Sequence, residues 1–388
     1  MNKPSNKKPG IFRNIFLASA LLLFLVMQVL ALNSGIPHSA KPDQEESWEK
    51  EVMEEEFKAG EMIIEHIIDA HEWHILSYGD FHLTVPLPII LWYEGELHVF
   101  MSSNFHHGHD DYKGFGIAHE GPQKGKVVRT LRDRFIMDHV IIHDENQELP
   151  LDFSITKNVL AIFISSIIMS WLFISIAGAY RRRRGEAPKG IQSLLEPLIL
   201  FIRDSIAKTS IGEKNYERYM PYLLTLFFFI FLNNLLGLVP VFPGGANVTG
   251  NIAVTLVLAL FTFVVTSITA NKNYWQHIFN TPGVPWWLKI PIPLMPVVEL
   301  VGMFTKPFVL MVRLFANITA GHIILLGFIS LIFIFGDIHA GLGYGVSILS
   351  VAFAIFINLL ELLVAFIQAY VFTLLSALYL GMATEEHH

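Results

Sequence analysis

With 388 residues, 53% of them hydrophobic and 16% charged, the chain is too apolar for an ordinary water-soluble protein. Cysteine is absent, which excludes a disulfide framework and a thiolate metal site. The net charge of −7 conceals a split: residues 32–155 carry 24 Asp and Glu against nine Lys and Arg, whereas the remainder carries ten against 18. Acidic outside and basic at the membrane face is a topology signal, and it gives no reason to expect a nucleic-acid partner.

Lys3, Lys7, Lys8 and Arg13 precede the apolar run Ile15–Leu32. Residues 1–31 therefore read as a secretory signal ending at Val29-Leu30-Ala31, with an uncleaved anchor helix as the alternative. Residues 32–155 then form an exported segment of α+β character. Glu45–Ile75, with Met62, Ile63, His66, Ile67 and His71 at mixed helical spacing, is expected to be mostly helix. From His82 to Phe105 the pattern becomes strand-like, with Val85, Ile89, Leu91 and Tyr93 ahead of the turn Glu94-Gly95-Glu96. A second β-rich stretch is expected over Val127–Phe153. Twelve of the seventeen histidines fall in this segment, among them His71, His74, His106, His107 and His109. Clustered imidazoles can bind zinc or copper, but with no thiolates a solvated, titratable surface is the simpler reading. No metal or other cofactor is expected.

Asn158–Tyr180 is uncharged for 23 residues and ends at Arg181–Arg184, which sets that end in the cytoplasm and residues 32–155 outside. Gly190–Gly212 opposes Leu194, Leu195, Leu198, Phe201, Ile202 and Ile206 to Glu196, Arg203, Asp204 and Lys208, as an amphipathic helix of the cytoplasmic interface does. Tyr222–Val241 crosses outward carrying Asn233 and Asn234, the charge-free loop Pro240–Gly250 follows, and Asn251–Ala270 returns to Lys272. Trp275, Trp286, Trp287 and Lys289 suit a Pro-rich interfacial loop.

The tracts Pro296–Phe335 and Tyr344–Met382, as helices of ~38 residues, would each be roughly 57 Å long at ~1.5 Å per residue. The hydrocarbon core is only about 30 Å thick. A steeply tilted hairpin accommodates them, its turn Asp337–Gly343 outside and the carboxyl terminus inside. The expected fold class is all-α integral membrane with about five transmembrane helices including that hairpin, an interfacial amphipathic helix, and divisions at 1–31, 32–155 and 156–388.

Within the first long tract stand Glu299, Lys306, Arg313, Asn317 and His322. Arg313 stays protonated at any physiological pH, and an ionisable group inside the membrane is a candidate functional site. Glu299 lies about 320° around from Arg313 and ~21 Å lower, Asn317 is one turn above it on the same face, and His322 is about 180° around and ~13 Å nearer the outside. On the returning helix Glu361 and Gln368 share a face. Antiparallel pairing brings Glu361 near His322 and Gln368 near Arg313.

Such a file of polar groups suits proton movement, with Glu361 and His322 as titratable groups. A guanidinium that cannot deprotonate keeps inner and outer halves of the route from joining. It also attracts the carboxylate of a partner moving past it, which gives up its proton there and must be neutral when it faces lipid. Blander readings compete. Lys306 beside Pro307 suits a snorkelling lysine, Asn233 and Asn234 suit helix–helix hydrogen bonding, and an Arg313–Glu361 ion pair is disfavoured because burying charges merely to stabilise a bundle rarely helps.

The run MVRLFANITAGH at 311–322, followed by Glu361, Gln368 and the ending QAYVFTLLSALYLGMATEEHH, resembles subunit a of the F-type ATP synthase membrane sector. Supporting matches run from Asn158 to the end and include Phe201-Ile202-Arg203-Asp204, Asn234 to Pro240, and Glu299 with Lys306-Pro307. The resemblance implies that Arg313 is the stator arginine opposite a rotor-ring carboxylate. It makes Asn317, His322, Glu361 and Gln368 half-channel positions and Glu299 a cytoplasmic-side channel carboxylate, while Lys306 and Asn234 keep a structural or secondary role. It also implies a non-catalytic, multi-pass subunit of the bacterial inner membrane. Its partners would be a ring of c subunits, b-type peripheral stalk subunits and, through the complex, the soluble F1 head. Within that family the acid and imidazole at the positions of His322 and Glu361 also occur exchanged. The competing class is a secondary transporter for metal ions that captures substrate on the histidine-rich segment. An intramembrane protease lacks any Ser/His, paired-Asp or HExxH site.

Overall fold

The computed structural model describes Gly60 and residues 69–78, 81–108, 110–118, 123–130, 149–183, 185–239, 242–279 and 294–385. The expected signal at 1–31, Trp286, Trp287 and Lys289 lie outside the described residues. So do 45–59 and 61–68, most of the helix expected over 45–75.

The part ahead of the membrane helices is β-rich. Strands β1 (Glu72–Tyr78) and β2 (Phe81–Pro86) pair antiparallel; β3 (Pro88–Tyr93) pairs with β4 (Glu96–Met101) and β7 (Leu151–Asp152); β5 (Phe115–Ile117) pairs with β6 (Val127–Arg129). The β3–β4 hairpin closes through Glu94 and Gly95, both at positive φ, a conformation that matches the right-handed twist of the flanking strands. Residues 72–75 correct the helix expected there. Glu72, Trp73 and His74 pair with Pro86, Val85 and Thr84 of β2 and Ile75 falls at a bulge in the ladder, so strand pairing wins over the helical spacing read from more distant residues. Ile89, Leu91, Phe100, Phe105, Phe115 and Val127 form a small core of their own.

Five helices are long and apolar enough to cross a membrane: α1 (Lys157–Arg182), α4 (Tyr216–Leu238), α5 (Ile252–Thr269), α7 (Leu294–Ile338) and α8 (Ala340–Thr384). Between α1 and α4 run α2 (Ile191–Phe201), a π-helical stretch (Ile202–Ala207) and α3 (Lys208–Ile211). Ile202 and Ile206 are fully buried there, while Arg203 and Asp204 pair with each other on the outside. Trp275, expected in a loop, sits instead on the short helix α6 (Lys272–Phe279), with its ring stacked on Phe279.

The two long helices exceed expectation at 45 residues each, roughly 67 Å at ~1.5 Å per residue. The expected turn over 337–343 shrinks to a single residue, His339, whose Nδ1 accepts from the Gly341 amide. Glycine explains the tightness: a Cβ on Gly343 would stand 2.8 Å from the Cα of Gly336 on the facing helix. Below the tip α7 and α8 pack along each other, with Phe328 stacked on Phe353 at 5.1 Å. Helix α8 also leans on α4, and α5 on α7, around a shared apolar core.

The β-rich part is fastened to the first end of the helices. Thr156 caps α1, and its hydroxyl donates to Asp69 at 2.8 Å while the Asn158 amide donates to the other Asp69 oxygen at 3.0 Å. His71 Nε2 lies 2.9 Å from Asp152. Trp73, 2% exposed, packs edge-on against Phe242 in the α4–α5 loop.

Candidate functional site

Helix α7 presents its polar groups on different sides, as a 3.6-residue period requires. Arg313 and Asn317, one turn apart, are both exposed on the face that the rest of the chain leaves open. Among the described residues, no carboxylate forms an ion pair with Arg313, so the Arg313–Glu361 pair weighed from the sequence does not form. Gln368, expected beside Arg313, is buried at 6% exposure. No hydrogen bond joins the two among the described residues.

The other expected meeting does occur. His322 Nδ1 lies 3.6 Å from Glu361 Oε1, across the contact between α7 and α8. The same nitrogen is 3.2 Å from the Ile318 carbonyl oxygen one turn back. Glu361 is buried, and among the described residues neither of its oxygens has a hydrogen-bond partner. Gly321 makes room for it, since a Cβ there would overlap the carboxyl group.

Around this pair is a narrow cleft of about 10 Å³, bordered by α4, the α4–α5 loop, α7 and α8. That is near the lower limit for one water molecule. Its polar lining comes from Asn233, Asn234, Asn247, Thr249, Asn317 and His322, with Glu361 at its wall. Asn233 Oδ1 and Asn247 Nδ2 also lack hydrogen-bond partners among the described residues. Asn234 differs: it donates to the Ala365 carbonyl at 3.2 Å and accepts from Thr249 at 2.5 Å, tying α4 to α8 and the loop.

Toward the other end of α7 lies a wider cavity of about 250 Å³, lined by Asn273, Tyr274, His277, Glu299, Lys306 and Glu385 among others. Lys306 Nζ sits 5.3 Å over the Tyr379 ring, a cation–π contact rather than an extended snorkel. Burial, then the nearby Glu299 carboxylate, raise the Tyr274 phenol above its ordinary value.

Sequence reasoning missed Asn247, Thr249, Tyr274 and His277. For the first two a cue existed: the polar run Asn247-Val248-Thr249-Gly250-Asn251 stands inside an otherwise apolar loop. For Tyr274 and His277 nothing in the spacing pointed to Glu299, because the contact depends on α6 folding back against α7. In the β-rich part, among the described residues, no three metal-ligating side chains converge. The described imidazoles His71 and His106 each pair with an aspartate instead.

A family model described as ATP synthase A chain matches residues 159–381, and another, described as a domain of unknown function, matches residues 62–153. The chain is 45% identical over 245 residues to ATP synthase subunit a of Chloroherpeton thalassium, covering 61% of this chain and 69% of that protein. Against ATP synthase subunit a of Myxococcus xanthus it is 43% identical over 258 residues, covering 63% and 80%. Against ATP synthase subunit a 2 of Chlorobium luteolum it is 38% identical over 336 residues, covering 85% and 77%. That last alignment is longer than the whole stretch from residue 159 to the end, so it takes in part of the segment ahead of the spans.

Proposed function

Because the chain belongs to the ATP synthase subunit a family, a multi-pass membrane subunit of that complex, we propose how its polar groups carry out proton translocation. Two half-channels meet the rotor at different depths. The outer one is the cleft bearing Asn247, Thr249, His322 and Glu361, and we assign the buried Gln368, two turns further along α8, to the same route. The inner one is the cavity bearing Glu299, Tyr274 and His277, with Lys306 at its wall. Arg313 stands between them, about 21 Å along α7 from Glu299 and about 13 Å from His322 at ~1.5 Å per residue, and Asn317, one turn on, borders the outer cleft.

The observation that carries this reading is the open face under Arg313. A cation left uncovered at mid-membrane depth costs ~2.5–3.5 kcal/mol even by insertion scales, so it calls for a compensating anion from a partner. A ring of c subunits, each with one lipid-facing carboxyl, supplies it in turn. Each carboxyl reaching Arg313 releases its proton, and it takes up another before it re-enters lipid. Arg313 then blocks direct flow between the halves, because its proton does not leave.

Positive-inside orientation puts Arg181, Arg182 and Arg183 in the cytoplasm, residues 32–155 outside and the carboxyl end inside. Helices of this length fit only if α7 and α8 lie obliquely or project from the bilayer. The α2–α3 region rests in the inner interface, where b-type stalk subunits and the F1 head have access. Residues 1–31, 32–155 and 156–388 remain the working divisions. The metal-transporter alternative is not favoured by the family.

Since the chain has no cysteine, Asn247→Cys and Asn273→Cys each offer a unique thiol in this subunit. A membrane-impermeant thiosulfonate should block ATP-driven pumping through Asn247→Cys only from outside, and through Asn273→Cys only from inside. Block of either position from the opposite side overturns the two-channel reading.

A further inference from the structure

The three-stranded sheet β4–β3–β7 has two apolar faces, and among the described residues only one enters a core. Inward, Ile89, Leu91 and Phe100 enter the small core. The opposite face follows from the register. Pro88, Ile90 and Trp92 project from β3, and their partners on β4 are Met101, Val99 and Leu97. Leu151 pairs with Trp92, and backbone bonds from Phe153 to Ile90 and from Ile155 to Pro88 continue the ladder past β7. Every position on this outer face is therefore apolar. Trp92, Leu97, Val99, Met101, Leu151 and Phe153 are 41–58% exposed, although an exposed strand face in water normally alternates to polar residues.

We propose that this face lies on the outer leaflet of the bilayer, so that the β-rich segment is a monotopic membrane contact as well as an extension of α1. Continuity is the first support. The ladder ends at Ile155, Thr156 caps the membrane-spanning α1, and the rows Pro88–Ile155 and Met101 adjoin the helix start. The rows above rise only about 13 Å further at ~3.3 Å per residue, a height that a leaning sheet brings into the headgroup and acyl boundary. Trp92 occupies the farthest row, and tryptophan favours that boundary. Beyond it the hairpin tip carries Glu94 and Glu96, both exposed, as expected of an end that stays in water.

Chemistry favours lipid over a protein partner. Protein interfaces carry about one hydrogen bond per 100–200 Å² and are only slightly more apolar than ordinary surface. This face offers one side-chain donor, the indole of Trp92, and no charge. A contiguous apolar patch of this kind marks an interaction site, and one without polar groups suits hydrocarbon.

Single cysteines introduced as Val99→Cys and Leu151→Cys, on different strands, carry a nitroxide in the whole complex reconstituted into phosphatidylcholine vesicles. Glu94→Cys at the hairpin tip serves as the aqueous reference, and complex without an introduced cysteine gives the background. ATP-driven pumping confirms assembly of each variant. Collision with oxygen should exceed collision with a water-soluble nickel chelate several-fold at 99 and 151, with the order reversed at 94. High nickel accessibility at 99 and 151 means that the face is in water and overturns the proposal. Low accessibility to both reagents means that protein covers it, another subunit or another part of this chain, and overturns it equally.

Discussion

His322 and Glu361 face one another across α7 and α8 with Nδ1 and Oε1 3.6 Å apart, and the neighbouring Gly321 leaves the space that the carboxyl occupies. The relationship ties a backbone feature to a titratable group. Gly321→Ala should leave the helix intact, since alanine favours helix, and should push the carboxyl aside. A misplacement near 1 Å can cost up to ~100-fold in positioned chemistry. ATP-driven proton pumping by Gly321→Ala should therefore fall by about tenfold or more, while the subunit still assembles. Pumping equal to the parent means that Glu361 does not need its present position.

Glu361→Gln alone should lower pumping strongly, because an amide does not carry a proton through. If what matters is an acid and an imidazole side by side, the exchange His322→Glu with Glu361→His should recover more activity than either single change retains. Initial rates of acidification in inverted vesicles decide this. A double variant no better than the single ones would show that the order, not only the pairing, is required.

Asn234 and Asn358 are both membrane-helix asparagines, yet their surroundings differ. Asn234 bridges α4 to the Ala365 carbonyl and Thr249, whereas the exposed Asn358, among the described residues, donates only back to Ala354 on its own helix. Hydrogen bonds between membrane helices contribute about 0.6–2 kcal/mol. Asn234→Ala should thus lower the thermal or denaturant stability of the complex by ~1–2 kcal/mol, and Asn358→Ala should change it little. Equal effects would remove the distinction.

The clamp at the head of α1 should respond to pH. For His71, burial lowers the imidazole's affinity for protons, but the Asp152 and Asp69 carboxylates raise it further, and the net pKa lies above the usual 6.5. Its stabilisation is complete below 6.5 and is lost as pH rises through the raised value. For Asp152, burial raises the pKa, but the His71 and Ser154 hydrogen bonds lower it more, to below the usual 3.8. Its stabilisation is present above 3.8 and fades as pH falls through the lowered value. The clamp is therefore firmest between these limits and loosens as pH rises through the raised His71 value. After correction for intrinsic exchange, deuterium protection of Thr156 and Asn158 should decline with rising pH in the parent and stay flat in His71→Gln. A parallel decline in both would remove His71 as the cause.

The spans and the groups on α7 and α8 were legible because each rests on a strong, local rule. Hydrocarbon demands long uninterrupted apolar runs, and a period of 3.6 residues fixes which groups share a side. The meeting of His322 with Glu361 followed once two helices were taken as antiparallel. What stayed hidden depends on contacts between distant segments. Trp73 belongs to a strand because β2 pairs with it, His277 lines the wider cavity because α6 folds back on α7, and Gln368 is buried while Arg313 is not because of how the helices rotate about their axes. The one-residue turn at His339 was hidden for another reason, since a glycine-rich run reads equally well as a loop or as a place where helices touch.

The claim at the centre is that the Arg313 charge, on an open face between two polar spaces, makes proton flow depend on the moving partner. ATP-driven proton uptake by vesicles bearing the whole complex with Arg313→Ala tests it most directly. The account predicts no uptake, with ATP still hydrolysed by the soluble head and passive proton permeability at least as high as in the parent. Uptake at the parental rate would contradict it.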